Sequence, residues 1–186
     1  MLRSPAGELD DEFRSFVLGS QARILRFAEL LTGDRHAAED LTQHGFAKLY
    51  ASWRRLHTGN PEQYVRRCVI NANTDRWRRG TWRESSRADI PERPDHFDLV
   101  ASLAEHDFVM RALAELTPIE RAVVALRYYN ELSEAEIAGE LNMPAGPVKS
   151  TAARALRKLR DVVNPASTAT TDNDHAASGN DQGAAR

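Results

Sequence analysis

The sequence predicts an all-α protein built as two small helical domains joined by a flexible linker, the second a helix-turn-helix domain. Three observations carry that prediction. Apolar residues recur at helical intervals through both halves, and no stretch of useful length alternates as a strand does. A segment at 84–97, holding Ser85, Ser86, Asp89, Pro91, Pro94 and Asp95, interrupts the periodicity midway. The 186 residues, 41% of them hydrophobic, suffice for one large core or two small ones.

The first helix is expected over 11–31, with Phe13, Phe16, Val17, Ile24, Phe27, Ala28 and Leu31 on one side. Gly33 stops it, and Asp34 caps a second helix over 35–56. Ala38, Leu41, Leu49, Trp53 and Leu56 make one stripe of that helix, widened by Phe46 and Tyr50. After the loop His57-Thr58-Gly59-Asn60, Asn60 caps a third helix, with Pro61 at its first position and Gln63 three residues past the cap. That helix is expected to reach Arg83. Val65, Cys68, Val69 and Ala72 gather on one side of it, and Tyr64, Arg67, Asn71, Asp75, Arg78 and Trp82 on another.

The second half restarts as a helix over 98–116. Thr117-Pro118-Ile119-Glu120 is a capping box that opens a helix running to about Tyr129. Ser133-Glu134-Ala135-Glu136 is another, opening a short helix over 134–141 with Leu132 and Ile137 as its hydrophobic staple. Past the turn Asn142-Met143-Pro144 a last helix extends to about Val163. It buries Val148, Ala152, Ala155, Leu156 and Leu159, and faces Lys149, Ser150, Ala153, Arg154, Arg157 and Arg160 outward. Residues 164–186, rich in Ala, Ser, Thr, Asn, Asp and Gly with no apolar period, are an expected disordered tail.

Composition narrows the function. With a mean hydropathy of -0.54 and no long apolar run, no transmembrane helix is expected. The first residues lack the apolar core of a secretory signal. The single cysteine, Cys68, reads as a small residue on the apolar side of its helix, and its solitude suits a reducing cytoplasm. The six histidines are scattered without metal-ligand spacing, and no Gly-rich phosphate loop or nucleophile elbow occurs. No catalytic residue, metal or cofactor is therefore expected. Glu134, Glu136 and Glu140 read as cap and surface residues of one short helix.

The net charge is only -2, but the cations cluster. Arg66, Arg67, Arg76, Arg78, Arg79, Arg83 and Arg87 crowd one segment; Lys149, Arg154, Arg157, Lys158 and Arg160 crowd another. The second block lies on the last helix of a short helix, tight turn, longer helix arrangement. That is the layout of a helix-turn-helix, whose recognition helix meets phosphates and base edges with cationic and small polar side chains. An ordinary hairpin with a solvated charged face is the alternative. The first block interleaves arginines with Trp77, Trp82 and Tyr64, a combination suited to stacking on unpaired bases; here core tryptophans and surface arginines are the alternative. Asp40 to Trp53 carries more apolar and aromatic groups than one core stripe needs, which fits either a partner helix or a thick core seam.

Four runs resemble a known family. Residues 31–43, Leu-Thr-Gly-Asp-Arg-His-Ala-Ala-Glu-Asp-Leu-Thr-Gln, resemble the region 2 helix of extracytoplasmic-function sigma factors of RNA polymerase. Pro61-Glu62-Gln63-Tyr64-Val65-Arg66-Arg67 through Asn71 resembles the promoter-melting part that follows it. Residues 121–129 and 132–138 resemble region 4, and the likeness is strongest to the short actinobacterial SigE family. It spans about 13–160 with both regions in the family's order.

The resemblance implies a sigma region 2 domain over 1–83, a linker over 84–97 that threads through polymerase, and a region 4 domain over 98–163. It implies core RNA polymerase contacts by Asp40, Leu41, Gln43, Phe46, Tyr50 and Trp53. His57, Thr58, Asn60, Tyr64, Arg67, Asn71, Arg76, Trp77, Arg78 and Arg79 would read and open the -10 element. Lys149, Ser150, Ala153, Arg154 and Arg157 would enter the -35 major groove. Promoter DNA and an anti-sigma factor are the further partners it implies.

The sequence departs from the family at His44 and Gly45, where a carboxylate and a small or branched residue are usual; Gly45 is expected to allow a partner's close approach. Pro144 replaces a side-chain cap, Pro147 removes a backbone N–H that could bind phosphate, and Ala153 offers a thymine only a methyl contact. Two other readings stand beside the sigma factor: a stand-alone helix-turn-helix regulator that needs no polymerase, and a protein-interaction module with a degenerate DNA surface.

Overall fold

A cap or a stop residue sets the limits of most helices in the chain. The computed structural model describes residues 5–82 and 100–164. Helix α1 (Pro5–Thr32) starts at a proline, earlier than periodicity alone suggests, with Glu8 in its first turn favouring the positive helix end. Gly33 ends it in the left-handed region (φ 72°), donating its N–H to the Glu29 carbonyl at 2.9 Å. The Asp34 carboxylate then accepts the Ala37 N–H at 2.6 Å and starts α2 (Arg35–Leu56). Asn60 does the same for α3 (Pro61–Trp82), its Oδ1 accepting the Gln63 N–H at 3.0 Å.

In the second half, α4 (Val100–Ala114) precedes α5 (Pro118–Val124), and both predicted capping boxes form: Thr117 with Glu120, and Ser133 with Glu136 at the start of α6 (Glu134–Leu141). The helix expected to run unbroken to Tyr129 instead widens after Val124 into a π turn over Ala125–Tyr129. The Asn130 N–H there reaches five residues back to the Ala125 carbonyl at 3.1 Å. The turn after α6 closes on Asn142 in the left-handed region (φ 49°), and α7 (Ala145–Val163) follows. The expected flexible linker at 84–97, the disordered tail at 164–186 apart from Asn164, and Arg83 and Arg87 lie outside the described residues.

One apolar cluster runs through both halves. Ile24, Phe27 and Leu31 of α1 pack with Leu49 and Trp53 of α2 and Val65 and Val69 of α3. The same cluster continues into Ala122, Val123 and Leu126, then Ile137 of α6 and Val148 and Ala152 of α7. Each fully buried large side chain contributes about 1.5–3 kcal/mol of transfer free energy. Leu113 and Leu116, packed on Ala155, fix the C-terminal end of α4 against α7. The two helical domains are thus packed on each other, α3 lying against α5 and α6 and α1 against α5.

Gly45 is buried where α2 crosses α3: a Cβ there would lie 3.0 Å from Val65 Cγ1 and 3.3 Å from Val69 Cγ2. Its missing side chain admits α3 of the same chain, which corrects the expectation that it faces an outside partner.

Candidate functional site

The helix-turn-helix comprises α6, the left-handed turn at Asn142 and α7. Val148, Ala152 and Ala155 hold α7 on its support, while Lys149, Ser150, Ala153, Arg154 and Arg157 are all exposed. The helix begins bare: Pro144 supplies no side-chain cap, and Pro147 sits in the first turn without an N–H. Among the described residues, Lys149 and Arg157 have no carboxylate partner. Arg154 does: its Nε lies 3.8 Å from Glu120 Oε1, and its Nη2 donates to Thr151 Oγ1 at 3.1 Å. Lys158 Nζ donates to Glu120 Oε2 at 2.7 Å. Sequence reading missed Glu120 in this role because its place in the capping box already accounted for it. Burial works against the charge of this carboxyl, but the hydrogen bonds from Lys158 and Thr117 outweigh it and hold the group below the ordinary carboxylate value.

The second surface follows α3 from its N-terminal loop. Thr58 and Asn60 are exposed, and Asn71, Arg76, Arg78 and Arg79 line the outward side with Trp77, whose ring is half exposed. His57 is turned back, its Nδ1–H donating to the Trp53 carbonyl at 3.0 Å. Tyr64 packs partly buried against the core. Cys68 lies beside it, and burial raises its thiol pKa, which keeps it protonated.

The third surface is the open side of α2. Asp40, Gln43 and Tyr50 are exposed there, whereas Leu41, Phe46 and Trp53, expected in the same contact, are buried in the core of the chain. Phe13 and Phe16 of α1 enclose the Trp53 ring at centroid distances of 5.2 and 5.5 Å, so the aromatic surplus read from the sequence is a core seam. His44, Ala47 and Ala51 share the exposed face with Asp40 and Gln43. Their three- and four-residue spacing was the signal that could have found them.

Polar contacts join the two halves along α3 and at the end of α1. Arg66, expected within a surface block, is buried and paired with Glu140, expected on the surface and also buried. Arg67 donates to the Gly139 carbonyl of α6. Arg121 Nη1 donates to the Leu31 carbonyl at the end of α1 at 3.0 Å, where a cation meets the negative helix end; burial lowers its pKa. Beside these contacts an apolar groove of about 340 Å³ opens between α1, α4, the π turn and α7, lined among others by Leu30, Phe108, Tyr128, Leu159 and Val163. No helix among the described residues is long and apolar enough to cross a membrane.

The chain is similar to known proteins in sequence and in fold. Residues 17–83 match the family Sigma-70 region 2, and residues 109–159 match Sigma-70, region 4. The RNA polymerase sigma-E factor of Streptomyces coelicolor is 36% identical over 151 residues, which cover 81% of this chain and 85% of that protein. The ECF RNA polymerase sigma factor SigL of Mycobacterium tuberculosis is 30% identical over 148 residues, covering 75% and 81%. In fold, the chain is similar to the sigma factor RpoE of Bartonella quintana, solved in complex with the anti-sigma factor NepR. That match has a TM-score of 0.64 and 22% identity, and covers 82% of this chain and 96% of that one. It is also similar to CnrH in complex with the cytosolic domain of CnrY, with a TM-score of 0.58 and 20% identity, covering 83% and 88%. With both sigma-70 regions present in order on one helical framework, this chain belongs to the extracytoplasmic-function sigma factors of the SigE type.

Proposed function

We propose that this protein binds core RNA polymerase and directs it to promoter DNA as an initiation factor, working in the cytoplasm and carrying out no catalysis of its own. The observation that carries this is the pairing of a region 2 helical layer with a region 4 helix-turn-helix on one chain. In this reading Asp40, Gln43 and Tyr50, joined by His44, Ala47 and Ala51, dock on polymerase. Thr58, Asn60, Tyr64, Arg67, Asn71, Arg76, Trp77, Arg78 and Arg79, with His57 at the loop, read the -10 element. Lys149, Ser150, Ala153, Arg154 and Arg157 enter the -35 major groove. Lys149 and Arg157 neutralise phosphates there, and Ala153 leaves room for a thymine methyl.

Elements about 25 base pairs apart lie roughly 85 Å apart along B-DNA. The closed packing of α3 on α6 is too short to span them, and it occupies Arg67. Polymerase binding therefore separates the two halves. An anti-sigma factor is the further partner, and the apolar groove beside α7 gives a helical segment of it a seat.

The stand-alone regulator reading leaves region 2 without work. Footprinting separates the two: protection of a promoter at both -10 and -35 only in the presence of core polymerase supports the sigma factor, and equal protection by the chain alone supports the regulator. In the same assay Asn71→Ala weakens -10 protection and leaves polymerase affinity unchanged.

A further inference from the structure

Glu120 has more contacts than its cap requires. A capping box needs one side-chain oxygen, and glutamine supplies it as well as glutamate does. Glu120 Oε2 already accepts the Thr117 N–H at 2.9 Å. Yet the residue is a nearly buried carboxylate, 4% exposed, and burying a charge is unfavourable unless cations face it. Two do, both from the recognition helix: Lys158 at 2.7 Å, and Arg154 with its Nε at 3.8 Å. They stand one turn apart on α7, on the flank that meets α5. Thr151, itself buried, takes the Nη2 of the same arginine. Two of the three guanidinium nitrogens are thereby turned toward the protein, and the head is held at one place on the rim of the DNA-facing surface.

We propose that Glu120 is a positioning residue for -35 recognition, orienting Arg154 for base contact and keeping Lys158 away from the phosphates. This rests on the reading that α7 enters the -35 major groove. A free arginine on an exposed helix samples many rotamers and finds phosphates as readily as base edges. One hydrogen-bonded through Nη2, with Nε facing a carboxylate, presents the two N–H groups of Nη1 over a narrower range of directions. Lys158, neutralised by the same carboxylate, adds no sequence-independent attraction. Glu120 thus trades non-specific affinity for discrimination.

The test uses holoenzyme reconstituted from core RNA polymerase and the full chain, titrated against a promoter mapped by transcription and against the same promoter with its -35 element scrambled. Glu120→Gln keeps the cap and removes the charge. Discrimination between the two promoters is expected to fall about tenfold, the scale of one base contact. The slope of log affinity against log salt steepens by about 0.9 for each cation released to phosphate. Arg154→Ala also lowers discrimination, and adding Glu120→Gln to it produces no further loss, because the carboxylate acts through the arginine. Unchanged discrimination in Glu120→Gln overturns the proposal, as does an equal further loss in the Arg154→Ala background, which marks a general structural effect. A wild-type holoenzyme indifferent to scrambling overturns the -35 reading of α7 itself, and the role of Glu120 with it.

Discussion

Arg66 of α3 and Glu140 of α6, 74 residues apart, form a buried ion pair across the two halves of the molecule. The Arg66 Nε lies 3.1 and 3.2 Å from the two carboxylate oxygens, and the side chains are 9% and 1% exposed. Glu62 adds a second acceptor at 3.4 Å from Nη1. The pair ties α3 to the helix-turn-helix and holds the two halves together.

Breaking it from one side leaves a buried charge poorly compensated. Glu140→Gln is expected to destabilise the closed chain by about 3 kcal/mol, at the low end for such pairs because Glu62 remains. Replacing both partners, Arg66→Met with Glu140→Met, recovers most of the loss. Urea unfolding of the full chain checks both; a Glu140→Gln variant as stable as the wild type contradicts the latch.

Gly45 sits where two helices touch. An alanine there gains up to about 1 kcal/mol in helix propensity. Its Cβ would lie 3.0 Å from Val65 Cγ1 and 3.3 Å from Val69 Cγ2, both on fully buried side chains. Overpacking of this kind costs about 1–3 kcal/mol. Gly45→Ala is therefore expected to be a net destabilisation, and pairing it with Val65→Ala removes the clash component. Thermal unfolding of the single and double variants decides the sign.

The recognition helix begins without a cap, and this is correctable. Pro144→Ser is expected to add about 0.5–1 kcal/mol of stability by bonding a free N–H of the first turn. Pro147→Thr restores an N–H at the helix start and is expected to tighten duplex binding at -35. Unfolding and holoenzyme titration report the two effects separately. Unchanged -35 affinity in Pro147→Thr rules out a phosphate contact at that position.

Glu120 and Glu136 both hold folded-state values below the ordinary carboxylate value of 4.5. In Glu136 the cause is the hydrogen bonds from Ser133; in Glu120 burial opposes the lowering and the bonds from Lys158 and Thr117 outweigh it. A depressed folded value means that the stabilisation is complete above the unfolded value and is lost as pH falls through the folded one. Helical signal in circular dichroism is thus expected to hold down to about pH 5 and to fall below it. Glu136→Gln, which keeps the cap without titrating, makes that fall shallower.

Local chemistry was readable from the sequence. Asp34, Asn60, Thr117 and Ser133 cap the helices their positions announce, and the α6–turn–α7 arrangement follows from a capping box and an Asn-Met-Pro turn. The outward cations of α7 were readable for the same reason: helical periodicity is a property of one segment. What escaped depends on which faces of separate helices meet. Trp53 and Phe46 looked like surplus because Phe13 and Phe16, which cover them, come from another helix. Glu140 looked like a surface residue because its partner is 74 residues away. The π turn at Ala125–Tyr129 has no composition signal in the sequence.

Run-off transcription from the DNA upstream of this protein's own gene, with purified actinobacterial core polymerase, tests the central claim most directly. A defined transcript that appears only when the chain is added is the predicted result. A chain that binds polymerase but yields no transcript, or a transcript that does not depend on it, contradicts its role as an initiation factor.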